Sequence, residues 1–253
     1  MKEKFKNFLG IVKNKLIRSE EFKLFIKDKK LKNNNTYFSV DPMPKLSEIE
    51  NFYKFDYKKN MNFRNTIIDE RAILHFKFIE KMKLNFNNFL NIGSNTGGIS
   101  HLLRVKGKKI YNYDFFEVKK YYNENWNYVS NLNSIKDKID LIYLSHSLEH
   151  IIDFWEFFLN LNQIMSEDCY VFIEVPNGTN EKAGGLKKII PPHLHYFKKE
   201  FFKNLNRELI ELNLTNKKKT DQKEINYSDD KDYKFIVYLG KGKFNTDKRV
   251  QKY

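Results

Sequence analysis

Short apolar runs alternate with helical segments along the chain from residue 88 onward. Five such runs have the length and the buried character of strands, and two segments between them repeat apolar residues at helical spacing. Apolar strands that alternate with helices are typical of a parallel sheet covered on both faces. The predicted strands are Asn88–Ile92, Lys109–Tyr113, Tyr128–Val129, Ile139–Leu144 and Tyr170–Val175, and the predicted helices are Ile99–Val105 and Phe154–Ile164.

The C-terminal part has a different order of elements. The pattern predicts a helix over Lys198–Glu208 and then two strands, Ile210–Leu214 and Tyr233–Leu239. The stretch Lys217–Asp232 between these strands is too polar to pack in a core and is expected to be a loop. Consecutive strands without a helix between them predict an antiparallel edge to the sheet.

The chain before residue 88 reads as helical. Apolar residues recur at helical spacing over 1–32 and again over 61–83. Breaker residues at Lys32–Asn35 and Asp41–Pro44 separate these helices. We therefore expect a helical appendage over 1–60 that covers a ligand site or makes a homodimer contact. The remaining residues, 61–253, are expected to form the main domain.

Composition narrows the choice of environment and partner. The 253 residues include one cysteine, Cys169, which excludes an internal disulfide and a cysteine-based zinc site. No apolar run approaches the ~18–20 residues that span a bilayer, and no signal peptide is apparent, so a cytoplasmic protein is expected. The net charge of +14 is spread over the whole chain, and it suits an anionic small substrate as well as nucleic acid, which is not the expected partner.

The strongest chemical signal is a Gly-rich turn between a strand and a helix. The turn Gly93-Ser94-Asn95-Thr96-Gly97 follows the first predicted strand, and Asp114 follows the second. Such a turn brings backbone N–H groups close to a ligand, and a carboxylate at the neighbouring strand end can accept both hydroxyls of a ribose. A nucleotide-type ligand is therefore predicted, although the turn lacks the second glycine of the dinucleotide fingerprint.

Four motifs in order resemble the class I S-adenosylmethionine-dependent methyltransferase family. They are the turn at Asn91–Gly97, the segment Ile139–His150 with its "LEH", the strand Phe172–Asn177, and Pro192–Phe197 with its "H-x-H-x-F". The resemblance covers roughly residues 60–215. It implies an α/β fold: a Rossmann-like seven-stranded methyltransferase sheet, mostly parallel with an antiparallel C-terminal edge, plus the N-terminal helical appendage.

The resemblance also implies roles for particular residues. S-adenosylmethionine is the expected cofactor, and the residues expected to bind it are Gly93, Ser94, Asn95, Gly97, Asp114, Phe115, Asn131 and Ser145. Asn91 stands where the family usually has a carboxylate, which is expected to weaken a contact to the cofactor's amino group.

Four of the six histidines fall at predicted strand ends, where open α/β sheets bind ligands. His146 and His195 are the predicted catalytic residues, each able to take a proton from an acceptor hydroxyl. His193 and His150 are the predicted substrate contacts, although His150 also suits a role in orienting the next helix. His146, Glu149 and His150 have the spacing of one helical face that could hold a metal, but no metal is expected.

The expected function is methyl transfer to a small molecule, with a hydroxyl of a sugar or phosphorylated precursor in surface-polysaccharide biosynthesis as the predicted acceptor. Three alternatives remain open: a nucleic-acid or protein methyltransferase, a dinucleotide-dependent oxidoreductase, and a non-catalytic homologue that only binds the cofactor. The amino-methylating motif of nucleic-acid methyltransferases is missing after the fourth strand, where Ser145–Leu148 stands.

Overall fold

A computed structural model describes residues 25–53, 68–114, 127–180, 189–215 and 234–247. Its strands are β1 Lys30–Asn33, β2 Tyr37–Asp41, β3 Asn88–Ile92, β4 Lys109–Tyr113, β5 Asn127–Val129, β6 Ile139–Ser145, β7 Met165–Pro176, β8 His195–Phe197, β9 Asn206–Thr215 and β10 Phe235–Phe244. Its α-helices include α1 Leu46–Asn51, α2 Glu70–Lys81, α3 Gly98–Val105 and α4 Phe154–Ile164. Short 3₁₀ helices occupy Leu132–Ser134, Leu148–His150 and Lys199–Phe202.

Seven strands form the main sheet in the order β5-β4-β3-β6-β7-β10-β9. The pairs from β5 to β7 are parallel, and β10 is antiparallel to both β7 and β9. The predicted mostly parallel sheet with an antiparallel C-terminal edge is confirmed. Ile92 pairs with Tyr113 on one side and with Leu144 on the other, so β3, β4 and β6 end at the same edge.

Apolar side chains cover both faces of this sheet. Consecutive residues of a strand point to opposite faces, so a continuous run of buried residues requires both faces to be covered. On one face α2 and α3 bury Ala72, Ile79, Ile99 and Leu103 against the sheet. On the other face α4 packs the larger cluster, and each apolar side chain that is fully buried contributes about 1.5–3 kcal/mol. The central strands are therefore held rigidly from both sides, which fixes the position of their ends.

Helix α2 shows how local sequence sets an element's start. The Asp69 carboxylate accepts the Ala72 backbone N–H and caps the helix, which therefore begins at Glu70 rather than at the predicted residue 61. Residues 61–67 of the predicted helix lie outside the described residues. Among the described residues, no helix is both long enough and apolar enough to cross a membrane.

The predicted N-terminal appendage was expected to be helical, but its described part also contains two strands. Residues 30–41 form the hairpin β1–β2, and β2 pairs with β8 in a separate three-stranded sheet. The predicted linker Lys32–Asn35 is the end of β1 and the turn of this hairpin. The reason is tertiary, because Val40 is buried and donates its N–H to the Leu194 carbonyl. Residues 1–24 lie outside the described residues.

The predicted helix over Lys198–Glu208 is wrong beyond its first turn. Only Lys199–Phe202 is helical, and β9 begins at Asn206. The Asn206 amide donates to the Gly242 carbonyl at 2.6 Å and accepts from the Tyr238 hydroxyl at 2.8 Å. Pairing with β10 therefore outweighs local helix propensity. The predicted polar loop Lys217–Asp232 lies outside the described residues.

Candidate active site

The turn that follows β3 has the backbone conformation that its glycines allow. Gly93, Asn95 and Gly97 have φ of 67°, 43° and 71°. The N–H groups of Gly93 and Ser94 both donate to the Tyr113 carbonyl, at 2.9 and 3.2 Å. A Cβ at Gly93 would lie 2.0 Å from Ser147 Oγ, so this position needs glycine for space as well as for conformation.

Asp114 lies at the end of β4, directly beside that turn. Its Oδ2 accepts the Asn95 backbone N–H at 2.9 Å, and its carbonyl accepts the Tyr128 hydroxyl at 3.0 Å. Helix α3 starts at Gly98, and its N-cap residue Gly97 offers no side-chain cap to the first N–H groups. A carboxylate in this position can accept hydrogen bonds from ribose hydroxyls. The Gly-rich turn and the uncapped N-terminus of the helix can bind the polar groups attached to that ribose. These residues fit S-adenosylmethionine.

Asn91 lies near the end of β3, just before the Gly-rich turn. It is buried, and its side-chain amide donates to Ser100 Oγ at 2.9 Å. Ser100 Oγ in turn donates to Asn112 Oδ1 at 2.6 Å. This buried chain ties β3 to the start of α3 and to β4. The side chain of Asn91 therefore stabilises the start of α3 beside the turn, and its expected weaker contact to the cofactor's amino group stays a prediction.

The other predicted cofactor residues fall in different settings. Asn131 is exposed, and its side-chain oxygen accepts the Asn133 N–H at 2.9 Å, capping a 3₁₀ helix. Phe115 lies outside the described residues. Ser145 ends β6, and its hydroxyl donates to Glu174 Oε2 at 2.8 Å. All three remain predictions as ligands.

Glu174 on β7 is the centre of a buried polar network beneath the strand ends. Besides Ser145, its Oε2 lies 3.1 Å from His75 Nε2 and 3.4 Å from Arg71 Nε, both on α2. Burial would raise the pKa of Glu174, but His146, His75 and Arg71 outweigh it and hold the pKa well below the ordinary value. Glu174 is therefore a buried anion that joins α2 to the end of β6.

His146 follows β6 in a left-handed conformation, with φ of 52°. A non-glycine residue in this region is held there by its surroundings, and such residues cluster at functional sites. Its Nδ1 lies 3.4 Å from Glu149 Oε1, and its Nε2 lies 3.7 Å from Glu174 Oε1. Burial lowers the pKa of His146, but the two carboxylates outweigh burial and raise the pKa above the ordinary value.

Glu149 lies in the middle of three histidines, in an arrangement that differs from the predicted helical face. The residues Leu148–His150 form one 3₁₀ turn, and His193 joins them from the loop before β8. Glu149 Oε1 lies 3.7 Å from His150 Nε2 and 4.0 Å from His193 Nε2. Burial would raise the pKa of Glu149, but the imidazoles, His150 foremost, lower it to about 2.

His195 occupies a different environment from His146. Its Nε2 lies 2.9 Å from the Ile151 carbonyl and 3.2 Å from the Ile152 carbonyl, so Nε2 carries a proton and donates. Its ring packs edge-on against Phe154 at 4.8 Å, and burial lowers its pKa to about 4. These contacts favour a structural role over the catalytic role predicted from the sequence.

Sequence reasoning assigned no role to Glu149, Glu174 or Arg71 in the expected reaction. A signal for Glu174 was available, because a carboxylate stands in the middle of the apolar run Val171–Val175. Ionisable residues are almost never fully buried unless they are paired. Arg71 carries no comparable signal, because a helical arginine is ordinarily exposed.

The comparisons with known proteins agree with this geometry. Residues 68–216 match the model of a family described as "Methyltransferase domain". No curated protein matches the chain. Three similar solved structures come from methyltransferases.

An S-adenosylmethionine-dependent methyltransferase from Clostridium acetobutylicum is 13% identical, with a TM-score of 0.51, and the match covers 78% of this chain and 98% of that one.

The second structure is the Burkholderia thailandensis 1,6-didemethyltoxoflavin-N1-methyltransferase with 1,6-didemethyltoxoflavin and S-adenosylhomocysteine bound. It is 12% identical, with a TM-score of 0.54, and the match covers 85% of this chain and 99% of that one. A plantazolicin methyltransferase in complex with a desmethyl substrate analogue and S-adenosylhomocysteine is 12% identical, with a TM-score of 0.53 and coverages of 77% and 94%. At such identities the structures establish the shared fold, and the family match establishes the membership. The chain therefore belongs to the methyltransferase-domain family, and its seven-stranded sheet is consistent with a class I S-adenosylmethionine-dependent methyltransferase.

Proposed function

We propose that this enzyme transfers a methyl group to a hydroxyl of a small molecule, with His146 as the general base. The observation that carries the proposal is the position of His146 at the end of β6, between the carboxylates of Glu149 and Glu174. The Ser147 hydroxyl donates to the Ile92 carbonyl at 3.0 Å, which joins this segment to the end of β3. The proposed base therefore adjoins the turn that starts at Gly93.

The cofactor site is assigned to the turn and its neighbours. Gly93, Ser94, Asn95 and Gly97 supply the turn, and the carboxylate of Asp114 accepts hydrogen bonds from the ribose hydroxyls. S-adenosylmethionine supplies the methyl group on a positively charged sulfur. Asn131, Phe115 and Ser145 are kept as proposed cofactor contacts from the family resemblance. The resemblance to structures with S-adenosylhomocysteine supports this assignment.

His146 suits the role of base for both electrostatic and geometric reasons. The two carboxylates stabilise its protonated form, so the imidazole is a stronger base than a free histidine. They also flank the ring on both sides, and a positioned base typically contributes ~10²–10⁴ in rate. An amine or thiolate acceptor would gain little from such a base, and for this reason we propose an oxygen acceptor.

The proposed acceptor class follows from the charge of the chain and from the family resemblance. A net charge of +14 suits an anionic acceptor such as a phosphorylated sugar, and surface-polysaccharide precursors are the class named by the family resemblance. The family resemblance implies that His193 and His150 contact the acceptor, whereas in the structure their side chains converge on Glu149. A cytoplasmic location and a homodimer are likewise proposals.

The experiment offers sugar phosphates, nucleotide sugars, phenols and amines to the full chain with radiolabelled S-adenosylmethionine. We expect label only on hydroxyl groups. His146→Asn removes the imidazole while keeping a residue that tolerates positive φ. This variant should lose ~10²–10⁴ in kcat and bind S-adenosylhomocysteine as the wild type does. Transfer to amines alone, or a loss below about tenfold in kcat, would contradict the proposal.

A matched control is available at His101, which lies on α3 outside the Glu149 and Glu174 clusters. His101→Gln removes an imidazole from a partly exposed position, so kcat should stay near the wild-type value. A similar loss in both variants would show that the effect of His146→Asn is not specific to a base.

A further inference from the structure

Glu149, His150 and His193 form a cluster with the composition of a metal-binding site. Each residue offers one ligand atom, and the three atoms lie within 4.8 Å of one another. Glu149 and His150 come from the 3₁₀ turn after β6, whereas His193 comes from the loop before β8. His193 is far from Glu149 and His150 in the sequence. The tertiary fold brings the three side chains together.

The separations within this cluster are too long for hydrogen bonds. His150 Nε2 and His193 Nε2 lie 3.7 and 4.0 Å from the same oxygen, Glu149 Oε1. Hydrogen bonds between nitrogen and oxygen are about 2.7–3.2 Å long. Ligands held at ~2.1 Å from one tetrahedral ion are about 3.4 Å apart. The observed distances of 3.7 and 4.0 Å are therefore closer to the separation of two ligands on one ion than to the length of a hydrogen bond.

The Glu149 carboxylate lacks the partners that a buried anion ordinarily has. Its side chain is 1% exposed, and neither oxygen makes a hydrogen bond with the described residues. A buried carboxylate without hydrogen bonds is costly, and each such group calls for a partner. His146 approaches the same oxygen at 3.4 Å and supplies at most one positive charge. A cation bound between Glu149, His150 and His193 would give the carboxylate oxygen a direct partner.

The His150 imidazole has the orientation of a metal ligand. His150 Nδ1 lies 3.2 Å from the Pro192 carbonyl and donates to it, which leaves the lone pair on Nε2, the atom nearest Glu149. Metal-binding histidines are commonly oriented by such a carbonyl on the far ring nitrogen.

We propose that Glu149, His150 and His193 bind one divalent transition-metal ion, with Zn²⁺ as the probe. Two imidazoles and one carboxylate favour zinc or a similar ion over Mg²⁺ or Ca²⁺, which prefer oxygen ligands alone. Three protein ligands leave a position open on a four-coordinate ion. The site goes beyond the proposed methyl transfer, because it can form without cofactor or acceptor.

The test titrates ZnCl₂ into the full chain, made without a histidine tag and freed of metal with a chelator. Calorimetry should show one equivalent bound, and the unfolding temperature should rise by several degrees. Glu149→Gln and His193→Asn should each weaken binding at least tenfold. His101→Gln, a histidine outside the cluster, should bind as the wild type does.

Two results would overturn the site. One is a wild-type chain that binds no zinc and melts at the same temperature with and without it, which would leave His146 as the partner of Glu149. The other is unchanged affinity in both Glu149→Gln and His193→Asn, which would mean adventitious surface binding. Glu149→Gln removes a buried charge and should fold, and melting of each metal-free variant checks this. None of these measurements involves methyl transfer, so they stand apart from the proposed function.

Discussion

The carboxylate of Asp114 accepts the backbone N–H of Asn95 at 2.9 Å and so joins the end of β4 to the turn after β3. This bond gives Asp114 two roles, because it anchors the turn in addition to its proposed contact with the ribose. We expect Asp114→Ala to weaken the binding of S-adenosylhomocysteine by ~1.5–3 kcal/mol, the contribution of a charged hydrogen bond, which calorimetry can measure. That range corresponds to about 10- to 160-fold in affinity.

Two further variants separate these roles. Asp114→Asn keeps an oxygen for the Asn95 N–H but loses the charge, so its affinity should fall between those of the wild type and Asp114→Ala. Asp137→Ala removes a carboxylate near the start of β6, at the opposite edge of the sheet, and should leave the affinity unchanged. If Asp114→Ala binds as tightly as the wild type, the cofactor site is not at the end of β4.

Gly93 and Gly107 provide a matched pair for the turn, since both have positive φ, at 67° and 77°. A Cβ at Gly93 would meet Ser147 Oγ at 2.0 Å, whereas a Cβ at Gly107 would meet no atom within 4 Å. Gly107→Ala should lose ~1–2 kcal/mol of unfolding free energy from backbone strain alone. Gly93→Ala should lose more and should also lose cofactor binding. Urea denaturation and calorimetry measure the two effects, and equal losses of stability would argue against the contact with Ser147.

His195 should matter for stability more than for catalysis. His195→Ala removes a buried ring and leaves the Ile151 and Ile152 carbonyls without their donor, so the unfolding free energy should fall by ~2–5 kcal/mol. Below its melting temperature, the variant should keep kcat within about tenfold of the wild type, unlike His146→Asn. Thermal melts and steady-state rates measure this contrast. A loss of ~10² or more in kcat without loss of stability would restore the catalytic role predicted from the sequence.

Glu174 should make stability depend on pH in the acid range. Its pKa in the folded state lies well below the ordinary value of 4.5, so its contribution is present above pH 4.5 and is lost as the pH falls through the folded value. Glu174→Gln leaves Arg71 and His75 without their buried partner and should cost ~3–5 kcal/mol at pH 7. The difference in stability between this variant and the wild type should narrow below pH 4.5.

Chemical denaturation at several pH values measures that difference. Glu167→Gln, at an exposed position on the same strand, should show little change at any pH. If the unfolding free energy of Glu174→Gln stays below that of the wild type by the same amount down to pH 3, Glu174 is not ionised in the folded protein.

The sequence by itself determined the elements whose signals are local. The predicted bounds of β3, β4 and α4 agree with the structure to the residue, because a short apolar run between polar residues defines a buried strand and an apolar face defines a helix. The Gly-rich turn and Asp114 were also predictable as neighbours, since parallel strands that follow one another end at one edge of a sheet.

Only the tertiary structure decided which partner each buried polar side chain has. His193 and His195 are two residues apart and were expected to face one crevice, yet the first lies beside Glu149 and the second donates to two backbone carbonyls beside Phe154. The start of β9 at Asn206 is likewise set by partners on β10. The physical reason is that periodicity records which positions are buried, whereas the partner of a buried polar group depends on what the rest of the fold brings next to it.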